Sequence, residues 1–383
     1  MTKVALLFAN FGPYHLSRFK AFQDYCQQRG WQAVGIELTR SGIAYDWRTQ
    51  LDNFSSSIVS VLGEQTLNAV RFDRLIRQLY AVLARENPDA IAIAGYFRPA
   101  LLAALLWCRW HGKAAILLSD SKQDDAPRQW WKETVKAGIL KGFQAALVGG
   151  KPHKRYAIDL GIPPEGVFCD YDTIDNATFH PNAIRHLPSP LPRPYFLAVN
   201  RFIPKKNLFR LLDAYALYHQ SASGEPWDLV LCGDGELRNE IEKRIDELGL
   251  ASAVRLPGFL QQSQMLPYYA HAGCFIHAST QEQWGLVVNE AMAAGLPVLV
   301  SRCCGCYEDL IVDGATGFGF DPENTEELAR LMLEVASETF DRAKIGRAAL
   351  DRIQHFSPDA FARGLSQAVC YGLGALTGRR GET

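Results

Sequence analysis

Glu282 and Glu290 stand eight residues apart in the segment Ser279-Thr-Gln-Glu-Gln-Trp-Gly-Leu-Val-Val-Asn-Glu-Ala-Met-Ala-Ala-Gly-Leu-Pro-Val298. The first carboxylate falls in a run of small and polar residues, the second on an apolar run that ends at Gly295-Leu-Pro297. The pattern predicts a short strand over 274–277, a loop from Ser279 to Gly285 and a helix from about Leu286. Gly295 would stop that helix by taking the left-handed cap, and Pro297 blocks extension. The first N–H groups of a helix lack internal partners and its dipole makes that end electropositive. The amides near Leu286, Val287 and Val288 are therefore a candidate phosphate cradle. Helical side chains lean toward the N-terminus, which carries Glu290 toward the same ligand. Carboxylates accept from vicinal hydroxyls, so the segment can hold a sugar and a ribose with a diphosphate between them. Spacing alone favours a plainer reading, a loop charge and a solvated helix residue; the segments upstream reverse it.

Tyr195-Phe-Leu-Ala-Val199 is a continuous apolar run short enough for a buried parallel strand. It leads into Asn200-Arg201-Phe-Ile-Pro-Lys205-Lys206-Asn207 and an amphipathic helix from Leu208 to His219. Cations just beyond the carboxyl end of a strand sit where open α/β sheets bind ligands. Arg201 and Lys206 would offset the charge of a departing diphosphate, whereas Lys205 reads as a surface cation. Asp228-Leu-Val-Leu-Cys232 is a second such strand, ending in Gly233-Asp234-Gly235 before a charged helix from Glu236 to Leu248. Glycines there permit a tight turn and close backbone approach to a ligand, a geometry that αβ units also adopt for its own sake. Val254-Arg-Leu-Pro-Gly-Phe-Leu260 adds a third strand and a turn.

With these residues in place, the C-terminal half resembles the donor-binding domain of retaining GT-B glycosyltransferases, in particular the large family 4 group. The likeness rests on Asn200-Arg201…Lys206, Gly233-Asp234-Gly235, Leu256-Pro-Gly258-Phe259, Glu282…Gly285-Leu…Glu290-Ala-Met-Ala-Ala-Gly-Leu-Pro-Val298 and Asp309-Leu-Ile…Asp313-Gly…Gly317-Phe…Asp321-Pro322. It is strong over residues 195–340 and loose elsewhere. It implies an α/β chain of GT-B architecture: two Rossmann-like domains facing a central cleft, with a C-terminal helix crossing back to the N-terminal domain. By position, Arg201 and Lys206 would bind the donor diphosphate, Glu282 the hydroxyls of the transferred sugar and Glu290 the nucleotide ribose. The Leu286, Val287 and Val288 amides would meet the phosphates, and Gly258 and Phe259 would border the base. Gly12, Asn200, Gly233, Asp234 and Gly285 complete the implied donor-binding set. The implied reaction moves a hexose from a nucleotide diphosphate sugar, UDP being the commonest carrier, to an acceptor hydroxyl with retention of configuration. Arg201, Lys206 and the helix start would stabilise the departing diphosphate, so no cofactor and no metal are expected.

Apolar runs at Lys3–Asn10, Ala90–Ala94, Ala114–Leu118 and Ala145–Val148 alternate with helical patterns, the signature of a parallel α/β domain. The expected division is an N-terminal, acceptor-binding domain over 1–187, a proline-rich linker over 188–194, a donor-binding domain over 195–355, a returning helix over 356–376 and a flexible tail over 377–383. Within the first domain, Trp47 to Leu83 reads as mostly helical. Ser357-Pro358-Asp359 carries the N-cap and first-turn proline of the late helix.

The first domain departs from the family pattern. The loop after the first strand, Asn10-Phe-Gly12-Pro-Tyr14-His15, has one glycine rather than several. Where many relatives carry a histidine at the end of a later strand, this chain has Ser119-Asp120-Ser121. Asp120 and His15 are candidates for the missing catalytic contact, each also readable as a helix cap or surface residue, and Tyr96 is a weaker candidate for acceptor contact. Arg128, Lys132 and Lys136 fall on one helical face beside Trp130 and Trp131. That face could rest peripherally on anionic lipid through Arg128, Trp131, Lys132 and Lys136; the reading adopted is an ordinary solvated face with tryptophans packed inward.

Composition bounds the rest. The 383 residues, 48% hydrophobic with formal net charge −1, suffice for two domains and exclude a general nucleic-acid binder. The nine cysteines mostly sit in apolar runs, as core residues of a reducing compartment do. Cys303-Cys304-Gly305-Cys306 lacks a second ligand pair at zinc spacing and reads as structural. No leader is evident and the longest apolar block, Ala100 to Cys108, is too short to span a bilayer, so the expectation is a cytoplasmic protein, soluble or peripheral at the membrane. Two other enzyme readings stand beside transfer: a glycoside hydrolase using Glu282 and Glu290 as acid and nucleophile, which leaves Arg201 and Lys206 without a purpose, and a GT-B epimerase or phosphorylase. A non-catalytic nucleotide-sugar binder is the third class.

Overall fold

The computed structural model describes residues 1–40 and 57–380, which form two compact units. The first comprises residues up to Ile174 together with those from Ser357 onward, and the second comprises Asp175–Phe356.

The first unit opens with β1 (Lys3–Phe8), α1 (Pro13–Gln28), β2 (Gln32–Glu37), β3 (Ile58–Ser60) and α2 (Phe72–Glu86). It continues with β4 (Ala90–Ala94), α3 (Pro99–His111), β5 (Ala114–Ser119), α4 (Trp130–Leu140), β6 (Ala145–Val148), α5 (Lys151–Asp159) and β7 (Val167–Phe168). The strands form one parallel sheet in the order β3-β2-β1-β4-β5-β6-β7. Period-two alternation sorts its side chains. Ala5, Leu7, Ile91, Ile93, Ala115 and Leu117 pack on one face with Leu79 and Leu83 of α2 and Leu101 of α3. Val4, Leu6, Ala90, Ala92 and Ile116 pack on the other with Phe19 and Phe22 of α1.

The second unit runs through α6 (Asn176–Phe179), α7 (Pro181–Ile184), β8 (Tyr195–Val199), α8 (Leu208–Ser221), β9 (Asp228–Cys232), α9 (Arg238–Glu247), β10 (Val254–Gly258) and α10 (Gln262–His271). It ends with β11 (Cys274–His277), α11 (Leu286–Ala293), β12 (Val298–Ser301), α12 (Tyr307–Leu310), β13 (Phe318–Phe320), α13 (Thr325–Ala336) and α14 (Arg342–Ile353). Its sheet is also parallel, in the order β10-β9-β8-β11-β12-β13. The chain winds outward from β8 to β10, then restarts on the other side of β8 with β11. Such a reversal opens a crevice at the carboxyl ends of the two central strands. In the second unit it falls between the loops after β8 and β11, and in the first between those after β1 and β4.

α15 (Pro358–Arg380) closes the first unit, where it packs against α1, β5 and β6. Phe361, Leu365 and Val369 enter the same core as α1. At Gly364 and Gly372 an added Cβ would press on Leu147 and Ile116, so the helix lies close against the sheet.

Several expectations change. The stretch Trp47–Leu83 holds more than helix: residues 58–60 are a strand paired in parallel with β2, Leu67–Ala69 is a short 3-10 turn and α-helix begins at Phe72. Residues 47–56 lie outside the described residues. Residues 175–187 pack with the second unit rather than the first, because Phe179 is buried edge-to-face on Tyr269 of α10 and Asn176 Nδ2 donates to the Ile353 carbonyl of α14 at 2.9 Å. Residues 188–194 carry neither helix nor strand. The expected tail from 377 is still helical to Arg380, Thr377 Oγ1 donating to the Gly374 carbonyl, and 381–383 lie outside the described residues. The tryptophans of α4 do not pack inward: Trp130 is 81% and Trp131 52% exposed. Nor is the basic face free. Arg128 precedes the helix, donates to the Gln123 and Lys122 carbonyls and lies on the Tyr156 ring, while Lys136 pairs with Glu133 and Tyr156. No described helix is long and apolar enough to cross a membrane.

Candidate active site

The loops after β8 and β11 are stitched together across the crevice. Thr280 N–H donates to the Lys205 carbonyl at 3.0 Å, and Asn207 Nδ2 reaches the Ala278 carbonyl at 3.2 Å. Asn207 makes this possible by taking a left-handed backbone (φ 59) that turns the short Pro204–Lys206 helical turn into α8. Lys206 is thereby aimed at the other loop, and its Nζ pairs with Glu282 Oε2.

Glu282 Oε2 has two further donors. His277 Nε2 lies 3.1 Å away and Ser279 Oγ 3.2 Å away. Burial alone would raise the Glu282 pKa; the hydrogen bond from His277 and the positive charge of Lys206 outweigh it and hold the carboxyl well below its ordinary range. The main chain of Glu282 is fixed as well. It bridges to Cys304, its carbonyl accepts from Gly305 N–H, and Cys306 N–H donates to the Trp284 carbonyl. The Cys303–Cys306 turn is thus the floor of this loop. All nine cysteines are free, and among the described residues no three His, Cys, Asp or Glu gather as a metal-holding group.

α11 starts at Gly285, whose φ of 107 turns the loop into the helix. Val288 N–H turns back to the Gly285 carbonyl at 2.8 Å. Leu286 and Val287 remain as the first-turn N–H groups without a backbone acceptor among the described residues. Glu290, one turn further, is 1% exposed, and Tyr269 OH donates to its Oε2 at 2.6 Å.

The glycine turn after β9 has a steric reason. A Cβ on Gly233 (φ 134) would overlap the Asn200 carbonyl, and one on Gly235 would strike the Phe202 backbone. The loops interlock through Phe202 N–H to the Asp234 carbonyl and Leu237 N–H to the Phe202 carbonyl. Asp234 is occupied locally, accepting from Gly235 N–H at 2.8 Å and from Arg238 at 3.4 Å. Asn200 is buried, and neither its Nδ2 nor its Oδ1 has a hydrogen-bond partner. Arg201 is exposed just beyond it. Gly258 (φ 85) accepts from Gly233 N–H at 2.8 Å, and Phe259 beside it is 42% exposed.

Lys206, Glu282 and the start of α11 are therefore brought into one cluster, and Glu290 is buried one turn further along α11. Sequence reasoning passed over His277 and Tyr269. The signal for His277 was its polar ring ending an otherwise apolar strand run; Tyr269 gave none beyond its place on a helix.

The remaining candidates belong to the first unit. Gly12 N–H donates to His15 Nδ1 at 3.2 Å, so His15 caps α1, and its ring stacks on Phe8. Burial, with Arg18 nearby, pushes its pKa down to about 3, so it is neutral at physiological pH. Asp120 follows β5, and its charge is felt by Tyr171 and Asp172. Asp172 lies 3.5 Å from the buried Arg18. Its pKa is pushed up to about 7, chiefly by burial and further by Asp120, against the pull of Arg18. Tyr96 is 4% exposed.

Two parallel sheets, each with a crevice at its switch point, form the two units of a GT-B fold, and a cation–carboxylate cluster stands at the switch point of the second. Residues 180–352 match the family described as glycosyl transferases group 1. Among curated relatives, it is 28% identical over 139 residues to the alpha-monoglucosyldiacylglycerol synthase of Acholeplasma laidlawii, covering 36% of this chain and 34% of that protein. It is 28% identical over 159 residues to the lipopolysaccharide core biosynthesis glycosyltransferase LpsE of Rhizobium meliloti, covering 42% and 44%. The matches thus span less than half the length of these relatives. The fold is similar throughout to that of Anabaena HepE, solved with UDP and glucose: TM-score 0.76 and 19% identity over 97% of this chain and 100% of that one.

Proposed function

We propose that this chain is a retaining glycosyltransferase of the family 4 group, moving a hexose from a nucleotide diphosphate sugar, with UDP as the carrier, to an acceptor hydroxyl. The observation that carries the reading is the meeting of Lys206 and Glu282 at the β8/β11 switch point beside the start of α11. A diphosphate seated there would meet Lys206, Arg201 and the Leu286 and Val287 N–H groups as negative charge builds on it during bond cleavage. Losing one preorganised contact of this kind costs ~3 kcal/mol at the barrier. Glu282 would accept from the hydroxyls of the sugar and Glu290 from the ribose, with Asn200, Gly233, Asp234, Gly258, Phe259 and Gly285 framing the donor. Asp120, at a strand end of the first unit, is the better placed of the two first-unit candidates, since His15 is committed to capping α1. No cofactor and no metal are part of the proposal, because fixed cations and helix amides supply the charge. The complex of HepE with UDP-glucose supports the choice of carrier. A hydrolase would need one carboxyl of the pair protonated as the acid; the donors gathered on Glu282 favour its anion.

The test is incubation with UDP-glucose and other nucleotide sugars, with and without a chelator, following release of nucleotide diphosphate and the mass and anomeric configuration of the product. Acceptor-dependent release, insensitive to the chelator and giving a retained linkage, is expected. Hydrolysis of simple glycosides, or no binding of any nucleotide sugar, would overturn the reading.

Peripheral contact with anionic lipid at the cytoplasmic membrane face forms part of the same reading, centred on Trp131 and Lys132. Lys132 lies over the Trp131 ring and Trp130 is open beside them, whereas Arg128 and Lys136 are tied to Glu133 and Tyr156. Serine at both tryptophans should abolish co-sedimentation with phosphatidylglycerol vesicles, and retained co-sedimentation would remove this surface from the proposal.

A further inference from the structure

We propose that His277 is a positioning residue that fixes the Glu282 carboxylate through a neutral Nε2–H donor, so that Glu282 keeps its orientation when Lys206 leaves it for the donor's diphosphate. The inference rests on the donor-site reading above and goes beyond it by giving a role to a residue that touches neither sugar nor phosphate.

The geometry begins with a sharing of one oxygen. Lys206 Nζ, His277 Nε2 and Ser279 Oγ all converge on Glu282 Oε2, and Oε1 accepts from none of them. Lys206 cannot stay on this oxygen and also neutralise a diphosphate at close range. Once it turns away, Glu282 retains two neutral donors, both on residues that are 0% exposed. His277 is the last residue of β11, fully buried, with its ring nearly parallel to that of Phe275 at a centroid distance of 6.4 Å. Gly285 sits directly over the contact: a Cβ there would lie 3.4 Å from His277 Nε2 and 3.5 Å from Glu282 Cγ.

The other ring nitrogen favours the neutral ring. His277 Nδ1 is buried and has no hydrogen-bond partner. A proton on it would be a buried donor without an acceptor, which is unfavourable, whereas a bare lone pair costs less. The ring is therefore neutral, with its one proton on Nε2 pointing at Glu282. Burial lowers the His277 pKa and Lys206 and Lys205 lower it further, against the opposing pull of Glu282. A cationic ring would tighten its hold on Glu282 as pH fell; a neutral one keeps the same grip across the physiological range.

Three proteins decide the matter: wild type, His277→Leu, which removes the donor, and His277→Gln, which returns an N–H at similar reach. Calorimetry would use UDP, GDP and ADP against UDP-glucose, GDP-mannose and ADP-glucose, and kinetics would use whichever sugar nucleotide binds. His277→Leu should lower kcat/KM for that nucleotide sugar by about 10- to 100-fold, the range for one hydrogen bond to a charged group. Its Kd for the sugar-free nucleotide should move less than about threefold, and His277→Gln should recover most of the loss. Ring nitrogen NMR of the wild type should show the Nε2–H tautomer with no titration between about pH 6 and 8. An Nδ1–H ring, ordinary titration, or equal losses with and without the sugar moiety would overturn the inference while leaving the donor site standing. Failure of the wild type to bind any nucleotide or nucleotide sugar would sink the donor-site reading and this role with it.

Discussion

Lys206→Ala is the substitution that bears most directly on how the site is held together. The Lys206 and Glu282 side chains are 13% and 12% exposed, so the pair is largely out of water. Two unit charges about 3 Å apart at an effective dielectric of about 20 attract by roughly 5 kcal/mol, and desolvation offsets much of that. Stripping one partner from a buried pair costs ~3–5 kcal/mol when the other is stranded. Here Glu282 is not stranded, since His277 and Ser279 still donate to it. The expected cost is therefore ~1–3 kcal/mol, or an apparent Tm lower by about 3–10 °C. The pH dependence has a definite sign. A carboxyl whose folded pKa lies below its ordinary value of 4.5 contributes stability above that value, and the contribution disappears as pH falls toward the depressed folded pKa. The gap between wild type and Lys206→Ala should be full at pH 7.5 and shrink below about pH 4.5. Thermal unfolding across that range measures it, and UDP added at pH 7.5 should stabilise the variant less than the wild type. Identical melting points at pH 7.5 with parallel acid limbs would refute the reasoning, because the pair would then carry neither stability nor charge coupling.

Gly233→Ala should lower the apparent Tm by several degrees, roughly 2–4 kcal/mol, because its Cβ would overlap the Asn200 carbonyl at φ 134. Gly249→Ala, also left-handed but with open space around it, should cost only ~1 kcal/mol, and equal losses would dismiss the steric argument. Tyr269→Phe removes the 2.6 Å hydrogen bond to buried Glu290 and should cost ~1.5–3 kcal/mol together with weaker nucleotide binding; calorimetry with UDP would register an unchanged Kd if Glu290 plays no part. In the first unit, the raised carboxyl pKa of Asp172 means the folded state holds that proton more tightly than the unfolded chain. Stability should fall as pH rises from about 4 through about 7. Asp172→Asn should flatten that fall by a few degrees of apparent Tm, and an unaltered pH–Tm curve would show that Arg18 keeps the group ionised throughout.

The second unit was readable in the sequence because its signals are local. Gly285 and Gly295 bracket an apolar run of helical length, and the observed helix occupies that interval at Leu286–Ala293. The strand runs at 195–199, 228–232 and 274–277 are continuous and short, and each is a strand with those bounds. What escaped were contacts that exist only once a loop or a second element has folded into place. Nothing near His277 in sequence marks it as the donor to Glu282, since the geometry arises only when the loop after β11 folds back over the strand. Tyr269 reaches Glu290 across two elements. The strand at 58–60 was hidden because it has three residues and gains its identity from pairing with β2. Residues 175–187 went to the wrong side of the boundary because the prolines at 188–194 mark a break in secondary structure, whereas the packing changes earlier, at Asp175.

The last helix has a bearing on how the chain reaches its native state. Phe361, Leu365 and Val369 fill the same core as Phe19 and Phe22, which emerge from the ribosome more than three hundred residues earlier. During synthesis the opening lobe must wait, with one face of its sheet incompletely covered, while the intervening lobe is translated and can fold independently. That interval is when the nascent chain is most exposed to aggregation and to chaperones. A premature stop shortly after Phe356 would leave the second lobe's sequence complete and the first without its final layer.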